Sequence, residues 1–86
     1  MSLIHIGYGN VVNLEKIISI VSPDAAPVKR LVQNAREEGR CVDATSGRKT
    51  KAVIVMENGM VVLSALLPET IGQRANNNNE GSEDEA

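Results

Sequence analysis

The 86-residue chain is almost without aromatics: Tyr8 is the only one, and tryptophan and phenylalanine are absent. Its core must be assembled from Ile, Val, Leu, Ala and Met. A platform on which nucleobases stack, as single-strand and RNA readers require, has little to be built from. Cys41 is the only cysteine. No disulfide can form within the chain, which argues for a reducing compartment and against a secreted disulfide scaffold. His5 is the only histidine, and one Cys with one His cannot supply the roughly four N or S ligands of a zinc site. No apolar run approaches ~20 residues. The opening MSLIHIGYGN has no basic segment followed by a long apolar core, so neither a membrane span nor a signal peptide is expected. The expectation is one small cytoplasmic domain with no cofactor and no small-molecule substrate.

A strong charge of either sign is also missing. The formal net charge is -2. That figure conceals an asymmetry. The segment ANNNNEGSEDEA, residues 75–86, carries four acidic residues and no basic one, which leaves residues 1–74 with 9 basic against 7 acidic residues, net +2. This is short of the excess typical of an autonomous nucleic-acid domain. One copy would bind an anion weakly, and several copies in register would bind it strongly. The Asn-rich acidic tail, 75–86, is expected to be disordered, so residues 1–74 form the domain.

What is present is mostly strand signal. LIHI (Leu3–Ile6) reads as a short strand ended by GYGN, where Gly7 and Gly9 punctuate the chain and Asn10 tolerates a left-handed turn. EKIISIV (Glu15–Val21) reads as a longer strand that includes Lys16. The clearest helix follows. Pro27 suits its first turn, Asp24 or a neighbour serves its N-terminal end, Val28, Leu31, Val32 and Ala35 form one apolar stripe, and Gly39 fits just past its end. RCVDAT returns as a short strand, SGRK turns, TKAVIVM (Thr50–Met56) is a strongly apolar strand, and Asn58-Gly59 is a two-residue hairpin signal leading to MVVLS (Met60–Ser64). LLPETIGQR closes with a short helix. The fold class expected is α/β of the α+β type, a small, mostly antiparallel sheet with one main helix and a short C-terminal helix.

The strands are apolar on both faces. Ala52, Ile54 and Met56 face one way, and Val53 and Val55 the other; Ile18 and Ile20 oppose Ile17 and Val21 in the same manner. Such strands need cover on both sides. Two arrangements answer the need: the second face packs on another subunit, or two small sheets fold onto each other within one chain.

Catalytic chemistry finds little support. Cys41 and His5 are the only thiol and imidazole, and each reads as structural, a small packed Cys and a His alternating with Ile4 and Ile6. SGRKT fails as a phosphate loop: position 42 is Val where Gly is needed, Arg48 separates Gly47 from Lys49, and a strand follows rather than a helix. GYG reads as a tight turn. The carboxylates form no convergent pair, and no active site is expected. The basic turn is less easily set aside. Arg48, Lys49 and Lys51 are three of the nine basic residues within four positions. A glycine beside them lets backbone approach a ligand, and Arg and Lys offer phosphate a fork and a point charge. Charge clusters are also common on solvated loops.

Taken together, IGYGN, IISIVSPDAAPVKRLVQNARE, VDATSGRKTKAVIVM and LLPET resemble the RemA family, bacterial regulators of extracellular-matrix genes. The likeness covers nearly all of residues 3–74, and VSPDxAPxKR and DATxGRxT are distinctive within it. The resemblance implies a DNA-binding transcription factor whose small α/β subunits, comparable with LytTR-type domains, assemble into a ring around which double-stranded DNA bends somewhat as on histones. It implies DNA contacts at Lys16, Arg48 and Lys49, and a role for Pro27 in function or assembly. The family's namesake carries Arg at the positions of Lys16 and Lys49; Lys keeps the charge but not the bidentate geometry, so contacts to the phosphate backbone should survive the exchange better than base readout.

The expectation is therefore a non-enzymatic DNA-binding regulator, a ring-like homo-oligomer associated with the nucleoid, with Lys16, Arg48, Lys49 and, more weakly, Lys51 as its DNA-binding residues. The competing expectation is an oligomeric scaffold or protein-interaction module without DNA binding, in which Asp43 or Glu57 of a neighbour pairs with Arg48.

Overall fold

The computed structural model describes residues 2–85, with side chains for residues 2–77. Ile4 and Ile6 are buried while Leu3 and His5 are exposed, the period of two that marks a strand with one covered face. This strand, β1 (Leu3–Gly7), pairs antiparallel with β2 (Asn10–Asn13) in a two-stranded sheet. The turn between them is left-handed at Gly7, Tyr8 and Gly9, with φ of 101°, 55° and 81°. Asn10, expected to take the left-handed turn, lies instead in β2, and Tyr8 takes it.

The strand expected over Glu15–Val21 is interrupted. Asn13 Oδ1 accepts the Glu15 N–H at 3.1 Å, and this local bond turns Leu14–Lys16 into a single 3-10 turn. Lys16 therefore sits just before β3 (Ile17–Val21) rather than on it. The pairing of β3 shifts between Ile17 and Ser19, a bulge at Ile18. The extra residue reverses the alternation expected from the sequence. Ile17 and Ile20 now pack into the same cluster, and Ile18 stands 66% exposed.

Helix α1 (Ala26–Glu37) forms where the stripe Val28, Leu31, Val32, Ala35 predicts it, with Pro27 in its first turn. Ala25 is the N-cap and offers no side-chain bond, so Asp24 does not cap it. At the other end Gly39 adopts φ 73°, and the N–H groups of Gly39 and Arg40 close on the carbonyls of Arg36 and Ala35, a Schellman ending that needs glycine. Strands β4 (Cys41–Asp43), β5 (Ala52–Met56) and β6 (Val61–Ser64) complete a four-stranded sheet in the order β3-β5-β6-β4, antiparallel except for the parallel β4–β6 pair. The β5–β6 hairpin has a three-residue loop rather than two: Met56 accepts from the Gly59 N–H and donates to Met60, while Gly59 takes φ 88°. This is a type I turn followed by a glycine bulge.

Both faces of this sheet are covered within the chain. On one, Val53, Val61 and Leu63 pack with the stripe of α1 and Cys41. On the other, Ile54, Ala52 and Val62 pack with Ile4 and Ile6 of the β1–β2 hairpin and with Ile71 of helix α2 (Pro68–Glu85). Of the two arrangements the sequence left open, the second holds: the small sheet folds onto the larger one, and a neighbouring subunit is not needed to bury the strands. The cover is incomplete at the hairpin end, where Val42, Met56, Met60 and Val62 line a groove of about 500 Å³ with Lys16 and Glu57 among its walls.

The mixed α+β fold is thus the expected one. Helix α2, however, runs on to Glu85 with no break at the expected domain boundary after residue 74, through the segment read as disordered. The side chains of Glu80, Glu83, Asp84 and Glu85 lie outside the described residues. Among the described residues no helix is long and apolar enough to cross a membrane.

Candidate functional site

The basic turn is an arch over the end of β6. The Ala44 N–H donates to Leu63 O at 2.9 Å on one side, and the Lys51 N–H donates to Ser64 O at 2.8 Å on the other. β4 and β5 flank β6, so the segment between them must pass over the strand's end. Inside the arch, Arg48 N–H bonds Thr45 O at 3.1 Å. The two central residues, Ser46 and Gly47, have φ of 54° and 79°. Positive φ at both defines a type I′ turn, which explains Gly47 and makes Ser46 a non-glycine residue in a sparsely populated region.

Two side chains brace the arch. Asp43 Oδ1 accepts from Thr45 Oγ1 at 2.6 Å and from the Thr45 N–H at 2.9 Å. These bonds, the hydroxyl first, lower the carboxyl below its ordinary value of 3.8, with Arg36 a smaller contribution. Asn10 Nδ2 donates to Gly7 O at 2.9 Å and to Ala44 O at 3.1 Å, tying the β1–β2 turn to the arch. Through this tie Tyr8 reaches Arg48, whose guanidinium carbon lies 4.0 Å from the centroid of the phenol ring, a cation–π contact. Arg48 Nη1 also donates to Ser46 O at 3.2 Å.

Of the candidate residues, the arch brings together Arg48, Lys49 and Lys51, all exposed. Lys49 and Lys51 have no ion-pair partner among the described residues; they share a depression of about 310 Å³ with Asp24 and Glu69. Lys16 is not part of this group. Its carbonyl accepts the Glu57 N–H at 2.7 Å, and its ammonium lies 3.8 Å from Glu57 Oε2, beside the Met56 end of β5. The arch leads into the Ala52 end. At ~3.3 Å per residue the two ends are ~13 Å apart. The Lys16–Glu57 pair is exposed on both sides, and such a pair holds its lysine only loosely.

Pro27 lies in the first turn of α1, away from the arch in sequence. Cys41 packs on the α1 face of the sheet, whereas His5 is exposed on β1, which covers the opposite face; they do not form a pair. Asp43 and Glu57, the carboxylates considered as partners for a neighbour's Arg48, are engaged with Thr45 and Lys16. Tyr8 and Asn10 are the members of the site that the sequence did not reveal. The available signal was that the one aromatic of the chain stands in a Gly-Tyr-Gly turn, where a core aromatic has no place.

Known proteins resemble the chain along most of its length. A protein of Lachnoclostridium phytofermentans is 70% identical over 74 residues, 86% of this chain and 81% of its own. One of Bacillus cereus strain AH187 is 58% identical over 84 residues, 98% of this chain and 97% of its own, and one of Bacillus mycoides is 57% identical over the same length. Each carries the name "Putative regulatory protein". With residues 3–75 matching the family described as extracellular matrix regulatory protein A-like, the chain belongs to the RemA-like family.

Proposed function

We propose that this protein is a non-enzymatic DNA-binding transcriptional regulator that assembles into a closed ring and bends double-stranded DNA around a repeated basic rim. The observation that carries the reading is the arch: three cations presented at a doubly anchored turn, two of them without a carboxylate partner among the described residues. Cations held in this way suit phosphate oxygens. Lys16 stands beside the Met56 end of β5 and the arch leads into its Ala52 end, so each subunit offers phosphates a second basic point apart from the arch. The apolar stripe of α1 is packed on the sheet, and the cations of the arch stand on a turn rather than on a helix. Sequence preference then comes through DNA shape and bending. The regulatory names of the relatives and the family's description agree with this reading, and the description points to extracellular-matrix genes as targets. A cytoplasmic, nucleoid-associated location follows from the partner.

Assembly answers the weak charge of one copy. β3 and β4 each pair on one side only. The exposed Ile18 stands on the first edge, and Val42, 45% exposed, stands on the second beside the apolar groove. Joining unlike edges head to tail is the kind of contact that closes into rings.

A mobility-shift titration of a DNA duplex over a salt series tests the proposal. Wild-type binding should fall steeply with salt through counterion release. The double variant Arg48→Ala, Lys49→Ala should bind about tenfold or more weakly while light scattering returns the wild-type oligomer size. Retardation of DNA by that variant at wild-type concentrations sinks the site. A large oligomer indifferent to DNA at every salt concentration identifies a scaffold instead. Ile18→Glu should reduce the scattering mass without unfolding the chain.

A further inference from the structure

We propose that Tyr8 is a positioning residue for Arg48, so that DNA is met by a preassembled aromatic–guanidinium pair rather than by a free surface arginine. This rests on the reading of the arch as a DNA contact. The phenol ring is half exposed, at 51%, in a chain that has no other aromatic, and its task is not to fill the core. Its backbone is left-handed, φ 55°, between two glycines with φ of 101° and 81°. A bulky residue is uncommon there and persists where surrounding contacts hold it. Asn10 supplies that hold, bonding Gly7 O, Tyr8 O and Ala44 O with one amide group. The turn that carries Tyr8 is thus fixed to the loop that carries Arg48.

The consequence for Arg48 is directional. One face of its guanidinium lies over the phenol ring at 4.0 Å, and Nη1 is directed to Ser46 O. The other face and the remaining N–H donors stay available to a phosphate. A planar cation immobilised in advance loses less freedom on binding. Lys49 and Lys51 have no such contact and act as flexible point charges.

The test compares wild type with Tyr8→Phe, Tyr8→Asn, Arg48→Ala and the double variant Tyr8→Asn, Arg48→Ala in a duplex-DNA titration at fixed salt. Asn is chosen because it tolerates the left-handed backbone. Tyr8→Phe should bind as wild type, and Tyr8→Asn about three- to fivefold more weakly. The double variant should be no weaker than Arg48→Ala alone. A second measurement needs no DNA and no Tyr8 variant: Tyr8 is the sole fluorophore, and Arg48→Ala should change its emission in the free protein. If Arg48→Ala weakens binding but Tyr8→Asn does not, or the two losses add, the positioning role is overturned and the DNA reading stands. Unchanged emission in Arg48→Ala overturns it as well. If wild type does not bind DNA, both readings fall together.

Discussion

The side-chain amide of Asn10 donates to the carbonyl oxygen of Ala44, 3.1 Å away and 34 positions later in the chain. The same nitrogen serves Gly7 O, so one residue joins the β1–β2 turn to the basic arch. Both carbonyls are partly buried, and losing their donor leaves them poorly satisfied. Asn10→Ala should cost about 1–2 kcal/mol, a fall in Tm of ~4–16 °C for a domain of this size. The measurement is thermal unfolding followed by circular dichroism. A midpoint equal to wild type would show that the tie contributes nothing.

The arch should also feel acid. The bonds from Thr45 lower the Asp43 carboxyl below 3.8. A carboxyl that is more acidic in the folded than in the unfolded chain stabilises the fold fully above its unfolded value, and loses that contribution as pH falls through the folded one. Urea unfolding of wild type and Asp43→Asn at a series of pH values reads this directly. The stability gap should be constant from neutral pH to about 5 and narrow below 3.8. A gap that persists unchanged to the acid limit of folding would contradict the assignment.

Two glycines of one turn should respond differently to alanine. Both Gly7 and Gly9 have positive φ, but a Cβ on Gly9 would meet nothing within 4 Å, whereas one on Gly7 would lie 3.2 Å from Leu66 Cγ. Gly9→Ala carries only the backbone penalty, about 1–2 kcal/mol. Gly7→Ala adds crowding against Leu66, for a total of about 2–4 kcal/mol. Denaturant midpoints of the two variants should fall in that order, and equal midpoints would mean that Leu66 yields freely.

The elements that repeat were legible in the sequence. The spacing of Val28, Leu31, Val32 and Ala35 located α1 because its periodicity is a local property of the chain, and Pro27 and Gly39 marked its ends for steric reasons that any helix shares. The apolar strands were legible for the same reason. What escaped were side-chain bonds to backbone. Asn13 captures the Glu15 N–H and breaks a run that β-branched residues would otherwise continue, which moves Lys16 off the strand. The bulge at Ile18 leaves no composition signal. The covering of the second sheet face depended on Ile4 and Ile6, two residues in a segment too short to announce that it folds back over the sheet. The cluster of Arg48, Lys49 and Lys51 was visible as charge, but the hand that Tyr8 and Asn10 have in it was not, because both reach it across more than thirty positions.

The contact between the β1–β2 hairpin and the later part of the chain has a consequence for synthesis. Ser64 Oγ donates to Ile6 O at 2.8 Å across 58 positions, in a buried setting. At roughly 5–20 residues per second, a ribosome needs about 3–12 s to deliver that partner. Until β5 and β6 have been made, Ile4 and Ile6 lack Ala52, Ile54 and Val62, much of the buried face they pack on, and the nascent hairpin is a marginal structure on its own. Folding is therefore gated by the arrival of β6, and the amino-terminal segment is the part most open to chaperones or aggregation while translation proceeds.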